Sequence, residues 1–399
     1  MKRLMPPVDE QLVLLMSGVE YGDKGLRRQF EGELRARLLE DRPLRVYLGI
    51  DPTATSLTLG HTVPLRKLRQ FQQLGHHAIF LIGDYTALIG DPSDKTKLRP
   101  QLTPEDIRAN EATYFEQAAH LLDASTTEVR HNSEWLGKLT FPQIIALMSK
   151  FTAAEMLRRD NFRQRFDAGE AVYLHEFLYA LMQGYDAYAL ECDVQVGGTE
   201  QLFNLMAGRK IQEDAGQRAH VPVTMPILVG LDGKERMSKS KGNHIGVDDS
   251  ANEQYGKAMS IPDSAVMDFF VLATDLPRED LGRMEGLLRN DPMAAKKQLA
   301  AAIVQEFHGE AAAREAEAAF ERTVQRKEAP ADVPEWRVEG EAWLIDVIVA
   351  AGAAPSKREA RRLFDQHAVS VDGVVARPDG AALPGALVQV GKRRWLRLV

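Results

Sequence analysis

Residues 44–50 alternate without a break: Leu44, Val46, Leu48 and Ile50 fall on one side, Arg45, Tyr47 and Gly49 on the other. A period of two sends successive side chains to opposite faces, so the segment is a strand. A loop follows, Asp51-Pro52-Thr53-Ala54-Thr55-Ser56, then a helical run over 61–74 stopped by Gly75. Residues 78–82 read as a second short strand. Strand, helix and strand joined by short loops form a βαβ unit, which commits the chain to a parallel α/β sheet.

Downstream, helical patterns dominate 103–190, with a strand-like piece at 194–196 and a candidate strand at 225–229 before the Asp232-Gly233 turn. Upstream, Leu12, Leu14 and Leu15, then Leu26, Phe30, Leu34 and Leu38, stand near helical spacing. The reading is a nucleotide-binding α/β domain with a helical arm over 1–251 and a helical domain over 252–328. A linker over 329–341, rich in proline and acids, leads to a small α+β module over 342–399. In that module Ser356-Lys-Arg-Glu359 is a capping box opening a helix. Residues 369–371 with Asp372-Gly373 suggest a hairpin.

With 44% hydrophobic residues in a chain of 399, there is material for two or three cored domains. The single cysteine, Cys192, leaves no internal disulfide and no cysteine-based metal cluster, so no protein-bound metal is expected. Charges and a proline pair occupy the first ten residues where a secretory signal would be apolar. No run of 18 apolar residues occurs either, so the expectation is a soluble, cytoplasmic protein. The net charge of −7 is unevenly spread: residues 355–399 hold nine Lys/Arg against four Asp/Glu, leaving 41 basic against 53 acidic residues elsewhere. A +5 tail on a −12 body suits a polyanion-binding module, although one charged run is also what a solvated face looks like.

Three clusters carry chemistry. Thr58-Leu59-Gly60-His61 opens a helix directly after the first strand and loop. A helix start presents free N–H groups and partial positive charge to phosphates. Gly60 admits a nucleotide, His61 can donate to a phosphate oxygen, and Pro64 reads as lying in the tolerant first turn. A capped helix with a surface histidine has the same pattern. The second cluster, Arg236-Met237-Ser238-Lys239-Ser240-Lys241-Gly242-Asn243, puts three cations and two hydroxyls on one loop. Such a loop can clamp a triphosphate whose charge moves onto leaving pyrophosphate. In the third, Tyr179, Gln183 and Asp186 share one helix face at i, i+4 and i+7, either lining a site or forming a solvent-exposed stripe.

The first two clusters together resemble the paired signatures of class I aminoacyl-tRNA synthetases, His-Ile-Gly-His and Lys-Met-Ser-Lys-Ser. Thr58 stands for the first histidine and Arg236 for the first lysine, each still able to meet phosphate oxygen. The Tyr-x3-Gln-x2-Asp pattern resembles tyrosyl-tRNA synthetases. That resemblance implies that Tyr179, Gln183 and Asp91 hold the substrate ammonium group, Tyr47 and Asp186 its phenol, and Gln201 its carboxylate. It places Gly49, Asp51, Gly60, Gly198, Glu200 (usually aspartate), Ile227, Leu228 and Ser240 at the nucleotide. Lys95 and Arg99 would reach the pyrophosphate. Thr53, Thr58, His61, Arg236 and Lys239 would stabilise the phosphates during reaction. The tail resembles the RNA-binding domain shared with ribosomal protein S4, with Lys357, Arg358, Arg361 and Arg362 as phosphate contacts for tRNA(Tyr). The resemblance also implies L-tyrosine and ATP as substrates, Mg²⁺ carried on the ATP phosphates, and a homodimer. Two rivals remain at this stage: a related nucleotidyltransferase for another acid, and an RNA-binding protein with an inactive core.

Overall fold

The computed structural model describes residues 6–93, 102–325, 333–338, 342–391 and 394–399. The chain divides into two compact units, 1–249 with 257–299, and 250–256 with 300–399. The stretch 252–328 is therefore shared between the units.

The first unit is built on a five-stranded sheet in the order β3-β2-β1-β4-β5. The strands are β1 (Arg45–Ile50), β2 (His77–Ile82), β3 (Glu128–His131), β4 (Val194–Gly198) and β5 (Val221–Met225). Every pairing is parallel, with Tyr47 opposite Ile79 on one side and Gln195 on the other. Between β1 and β2 runs a helix (Leu59–Gln73), which buries Val63, Leu65, Leu68 and Phe71. The order reverses at β1, with β2 to one side and β4 to the other. Crevices at such switch points, outside the carboxyl ends of the strands, are where parallel sheets bind ligands.

Two further helices, Leu174–Ala189 and Leu202–Asp214, cross closely beside the sheet. Small residues permit it. A Cβ on Gly184 would meet Ile211 Cδ1 at 2.7 Å and the Gly208 backbone nitrogen at 3.0 Å. The helical arm is fixed by a buried carboxylate. Asp193 accepts from Arg37 and Arg42, each at 2.7 Å, and from the Arg45 backbone at 2.9 Å.

Several expectations shift. Edge strand β3 falls inside the stretch where helical patterns dominate, and is unexpected there because its Glu-Val-Arg-His sequence has no apolar alternation to announce it. The strand expected at 225–229 lies at Val221–Met225 instead. Pro222 is tolerable there because β5 is an edge. Val229 makes only an isolated bridge to Arg236. Pro64 is not in the first turn: the helix begins at Leu59, so Pro64 is its sixth residue and supplies no N–H to the Gly60 carbonyl.

In the second unit the strand order is β6-β10-β9-β7-β8, with β6 (Glu335–Trp336), β7 (Val369–Val371), β8 (Val374–Val375), β9 (Leu387–Val390) and β10 (Arg394–Leu398). Strand β6 comes from the stretch read as linker and pairs with β10. Asp372 (φ 48°) and Gly373 (φ 82°) make the expected hairpin turn between β7 and β8, both in the left-handed region that such two-residue turns need. Helices α1 (Leu344–Ala350) and α2 (Lys357–Asp365), numbered within this unit, pack on a core including Ile348, Phe364, Val388 and Leu398. The Ser356 hydroxyl caps α2 by accepting from the Glu359 backbone at 3.3 Å, while the Glu359 carboxylate pairs with Arg362 at 2.5 Å.

Candidate active site

A cavity of about 560 Å³ opens at the carboxyl ends of β1 and β4. That is within the range of roughly 300–1,000 Å³ typical of small-molecule sites. All the described candidate residues for tyrosine, nucleotide and phosphate line it. Lys95 and Arg99 lie outside the described residues. Tyr47, Tyr179 and Asp186 are buried and Gln183 is half-buried. The polar helix face is therefore a cavity wall and not an exposed stripe.

The two segments expected to meet phosphate, some 175 residues apart in sequence, are brought together by backbone pairing of 57–59 with 245–247. Val247 N donates to the Leu57 carbonyl and Leu59 N to the Ile245 carbonyl, both at 3.0 Å. This short antiparallel bridge holds the Lys239 loop over the mouth of the His61 helix. Lys239 Nζ donates to the Ser56 hydroxyl at 2.5 Å and also to the Ser56 carbonyl. Partial burial depresses the Lys239 ammonium pKa, against the attraction of Asp248 and Asp249. Asn243 staples the loop from within: its Oδ1 accepts from Ser238 N at 2.8 Å, and its Nδ2 donates to Asp232 at 2.6 Å. Ser238 and Ser240 share a hydroxyl contact at 2.9 Å.

At the helix mouth, Thr58 N donates to His61 Nδ1 at 3.1 Å, and the Thr58 hydroxyl lies 3.0 Å from the same atom. With Nδ1 accepting, the ring proton sits on Nε2, the tautomer that can donate to a phosphate. Thr58 is buried. Its hydroxyl lies against the His61 ring. A Cβ on Gly60 would meet only ordinary neighbours, Thr58 Oγ1 at 3.4 Å and Met237 Cβ at 3.8 Å. Protein packing does not require glycine there, so the space it leaves belongs to the cavity.

The opposite end is a continuous polar network. Asp51 accepts from Tyr179 at 2.9 Å and from Thr86 at 2.8 Å. Gln201 donates to Asp91 at 2.6 Å, and Asn204 donates to Gln183 at 2.9 Å and Gln201 at 3.0 Å. Deepest lie Tyr47 and Asp186. Burial raises both their pKa values, and for Asp186 donors from Trp135 (2.7 Å) and Asn132 (3.2 Å) oppose the rise. Those two donors favour the carboxylate, the acceptor form a phenol requires, against the burial that disfavours it.

Sequence reasoning missed Asn132, Trp135, Thr86, Asn204 and Arg159, all positioned by tertiary packing with no motif of their own. Arg159 is buried and donates to Ser93 Oγ at 2.6 Å, while Ser93 N donates to Asp91 at 2.9 Å. It thereby steadies the loop that carries Asp91. Among the described residues no group of three His, Cys, Asp or Glu is placed to hold a metal ion, and no helix is long and apolar enough to cross a membrane. On α2 of the second unit, Lys357, Arg358, Arg361 and Arg362 are all exposed while Ala360 and Phe364 face the core.

Paired phosphate segments closing over the switch point of a parallel sheet define a class I aminoacyl-tRNA synthetase. The model of the family described as "tRNA synthetases class I (W and Y)" matches residues 39–325, and that of "Tyrosine--tRNA ligase SYY-like C-terminal domain" matches 325–378. Tyrosine--tRNA ligase of Symbiobacterium thermophilum is 45% identical over 98% of both chains. That of Moorella thermoacetica is 46% identical over 99% of this chain and 97% of its own. Among solved structures, a C-terminally truncated mitochondrial tyrosyl-tRNA synthetase of Aspergillus nidulans superposes with a TM-score of 0.63 at 25% identity, covering 79% of this chain and 93% of that one. The chain belongs to the tyrosine–tRNA ligase family.

Proposed function

We propose that the protein activates L-tyrosine with ATP and transfers it to the 3′ end of tRNA(Tyr). The tyrosine carboxylate attacks the α-phosphorus, the bond to pyrophosphate breaks, and tyrosyl-adenylate forms. A terminal ribose hydroxyl of tRNA then attacks the adenylate carbonyl, releasing AMP. The attacking carboxylate is ionised at neutral pH, so the first step needs placement and charge stabilisation and no general base. His61, Thr53, Arg236 and Lys239 serve the phosphates, with Thr58 setting the His61 ring. Gly49, Asp51, Gly198, Glu200, Ile227, Leu228 and Ser240 receive the nucleotide. Mg²⁺ arrives on the ATP phosphates.

Tyrosine is the favoured acid because a buried phenol and a buried carboxylate, Tyr47 and Asp186, end the cavity. An apolar side chain would displace water from both groups and return no hydrogen bond to either, a costly outcome in a dry site. That observation carries the reading. Pyrophosphate exchange against all twenty amino acids tests it: tyrosine alone should drive exchange efficiently, and equal rates with phenylalanine or tryptophan would refute it.

The exposed cations of α2 are read as tRNA phosphate contacts, the helices within 252–328 as the anticodon-side domain, and the cytoplasm as the compartment. Homodimerisation is supported by an exposed apolar face. Phe141, Ile145 and Met148, at i, i+4 and i+7 of the helix Phe141–Met148, are 74%, 52% and 47% exposed. Phe166, Tyr173 and Leu174 are exposed close by in sequence. Apolar surface of that kind on one chain calls for a partner, and a second copy supplies the matching face.

A further inference from the structure

Trp343 is 58% exposed, whereas Trp135, Trp336 and Trp395 are half-buried. Leaving most of an indole in water is unfavourable in isolation, so its surroundings matter. It stands immediately before α1 of the second unit. The Asp346 backbone donates to the Trp343 carbonyl at 3.0 Å, and the Asp346 carboxylate pairs with Lys357 Nζ at 2.5 Å. Lys357 is the first residue of the arginine-rich α2, so the indole's turn abuts the start of that helix. On its other side Trp343 bridges to Ala381, and Leu344 N donates to the Gly380 carbonyl at 2.8 Å. This places the 377–383 loop alongside, with Arg377 exposed and Leu383 63% exposed. Beyond Lys357, Arg358 and Arg361 have no ion-pair or hydrogen-bond partner among the described residues.

An exposed indole beside a loop that carries Arg377, Asp379 and Leu383, with the arginine-rich helix of a +5 tail starting next to it at Lys357, is small for a protein partner and of the wrong charge for another basic surface. It matches one nucleotide well. A nucleobase has the area to cover the indole, and its flanking phosphates answer the lysine and arginines. We propose that Trp343 is a stacking platform for an unpaired nucleobase of the tRNA whose backbone lies along α2. The inference rests on the reading of α2 as the tRNA phosphate contact, and it adds a base-contacting residue to a surface otherwise read as purely electrostatic.

Salt separates the two. Stacking contributes affinity without releasing counterions, whereas removing one phosphate contact lowers the slope of log affinity against log salt by about 0.7–0.9. The experiment measures binding of tRNA(Tyr) by the full-length protein across a salt series. Trp343→Ala should weaken binding about tenfold with the slope unchanged, and Trp343→Phe, which keeps a stacking ring, should restore most of it. Arg358→Ala combined with Arg361→Ala should weaken binding and flatten the slope. Tryptophan fluorescence should be quenched by tRNA in the parent and much less in Trp343→Phe. Arginine variants that lose affinity beside a Trp343→Ala variant within twofold of the parent would overturn the platform and leave the α2 reading standing. Arginine variants without effect would remove that reading and the platform with it. A flattened slope in Trp343→Ala, failure of phenylalanine to restore binding, or an altered association state at unchanged tRNA affinity would each overturn stacking.

Discussion

The Tyr179 hydroxyl donates to the Asp51 carboxylate at 2.9 Å, joining the helix proposed to read the amino acid to the carboxyl end of β1, where the nucleotide is expected. Two residues assigned to different substrates thus share one hydrogen bond. The Thr86 hydroxyl, at 2.8 Å from the other Asp51 oxygen, fixes the carboxylate from the far side. Asp51→Ala should therefore raise KM for both tyrosine and ATP, while Tyr179→Phe should raise chiefly the tyrosine KM, by roughly tenfold, as expected for a lost hydrogen bond to a charged group. Steady-state exchange with each substrate varied in turn separates the two patterns.

Phenylalanine should be rejected through the buried Tyr47 and Asp186 pair. For tyrosyl-tRNA synthetases as a class this discrimination is about 10⁵, a borrowed figure and not one obtained from this cavity. Tyr47→Phe should erode it, and Asp186→Ala should cripple tyrosine activation outright. Ratios of kcat/KM for tyrosine and phenylalanine provide the check.

Acid should expose the same carboxylate. Burial raises the Asp186 pKa, and the Trp135 and Asn132 donors hold it down because they bond the ionised form. Removing a donor raises the pKa further, so less carboxylate is present at a given pH. Trp135→Phe and Asn132→Ala should each move the acid limb of kcat/KM for tyrosine to higher pH. A raised folded pKa also means that whatever stability this group contributes is present at low pH and lost as pH rises through its folded value. The two variants should thus lose stability relative to the parent toward neutral pH, which thermal melts across pH would register.

Lys239→Ala should slow adenylate formation far more than it weakens tyrosine binding. The ammonium group is engaged by Ser56, and its charge is wanted only as negative charge gathers on pyrophosphate. Removing an interaction of this kind typically raises the barrier by ~3–4 kcal/mol. Single-turnover activation beside equilibrium tyrosine binding makes the comparison.

Deleting 326–399 should separate the half-reactions. The cut falls before β6 because Trp336 and Val338 pack on the C-terminal core and would be stranded by a cut at 340. Every described candidate for adenylate formation lies in the first unit, so exchange should persist near the parent rate. Tyrosylation should collapse, and the salt dependence of tRNA binding should become shallower.

Stability of the arm should hinge on Asp193. Its carboxyl pKa is lowered in spite of burial, chiefly by the Arg42 hydrogen bonds. Its contribution is therefore full above the ordinary aspartate range and is lost as pH falls through the depressed folded value. Asp193→Ala leaves buried Arg37 without its carboxylate and should cost about 3–5 kcal/mol, read by denaturant unfolding.

What the sequence determined by itself is whatever local periodicity and short spacing encode. Alternation through Leu48 and Ile50 made β1, the helix start at Gly60-His61 followed it, and Tyr179, Gln183 and Asp186 had to share a face because a helix turns 100° per residue. Side chains of residues far apart in the chain had no such rule. Strand β3 needed the edge of a sheet to exist, and Pro222 hid β5 until its edge position was known. Whether the polar face of 179–186 met water or a cavity depended on Trp135, Asn132 and Asp51 arriving from other elements. Only the folded chain could pair 57–59 with 245–247 and set Lys239 against Ser56, because a pairing across about 190 residues is chosen by packing of the whole sheet and leaves no period in the sequence.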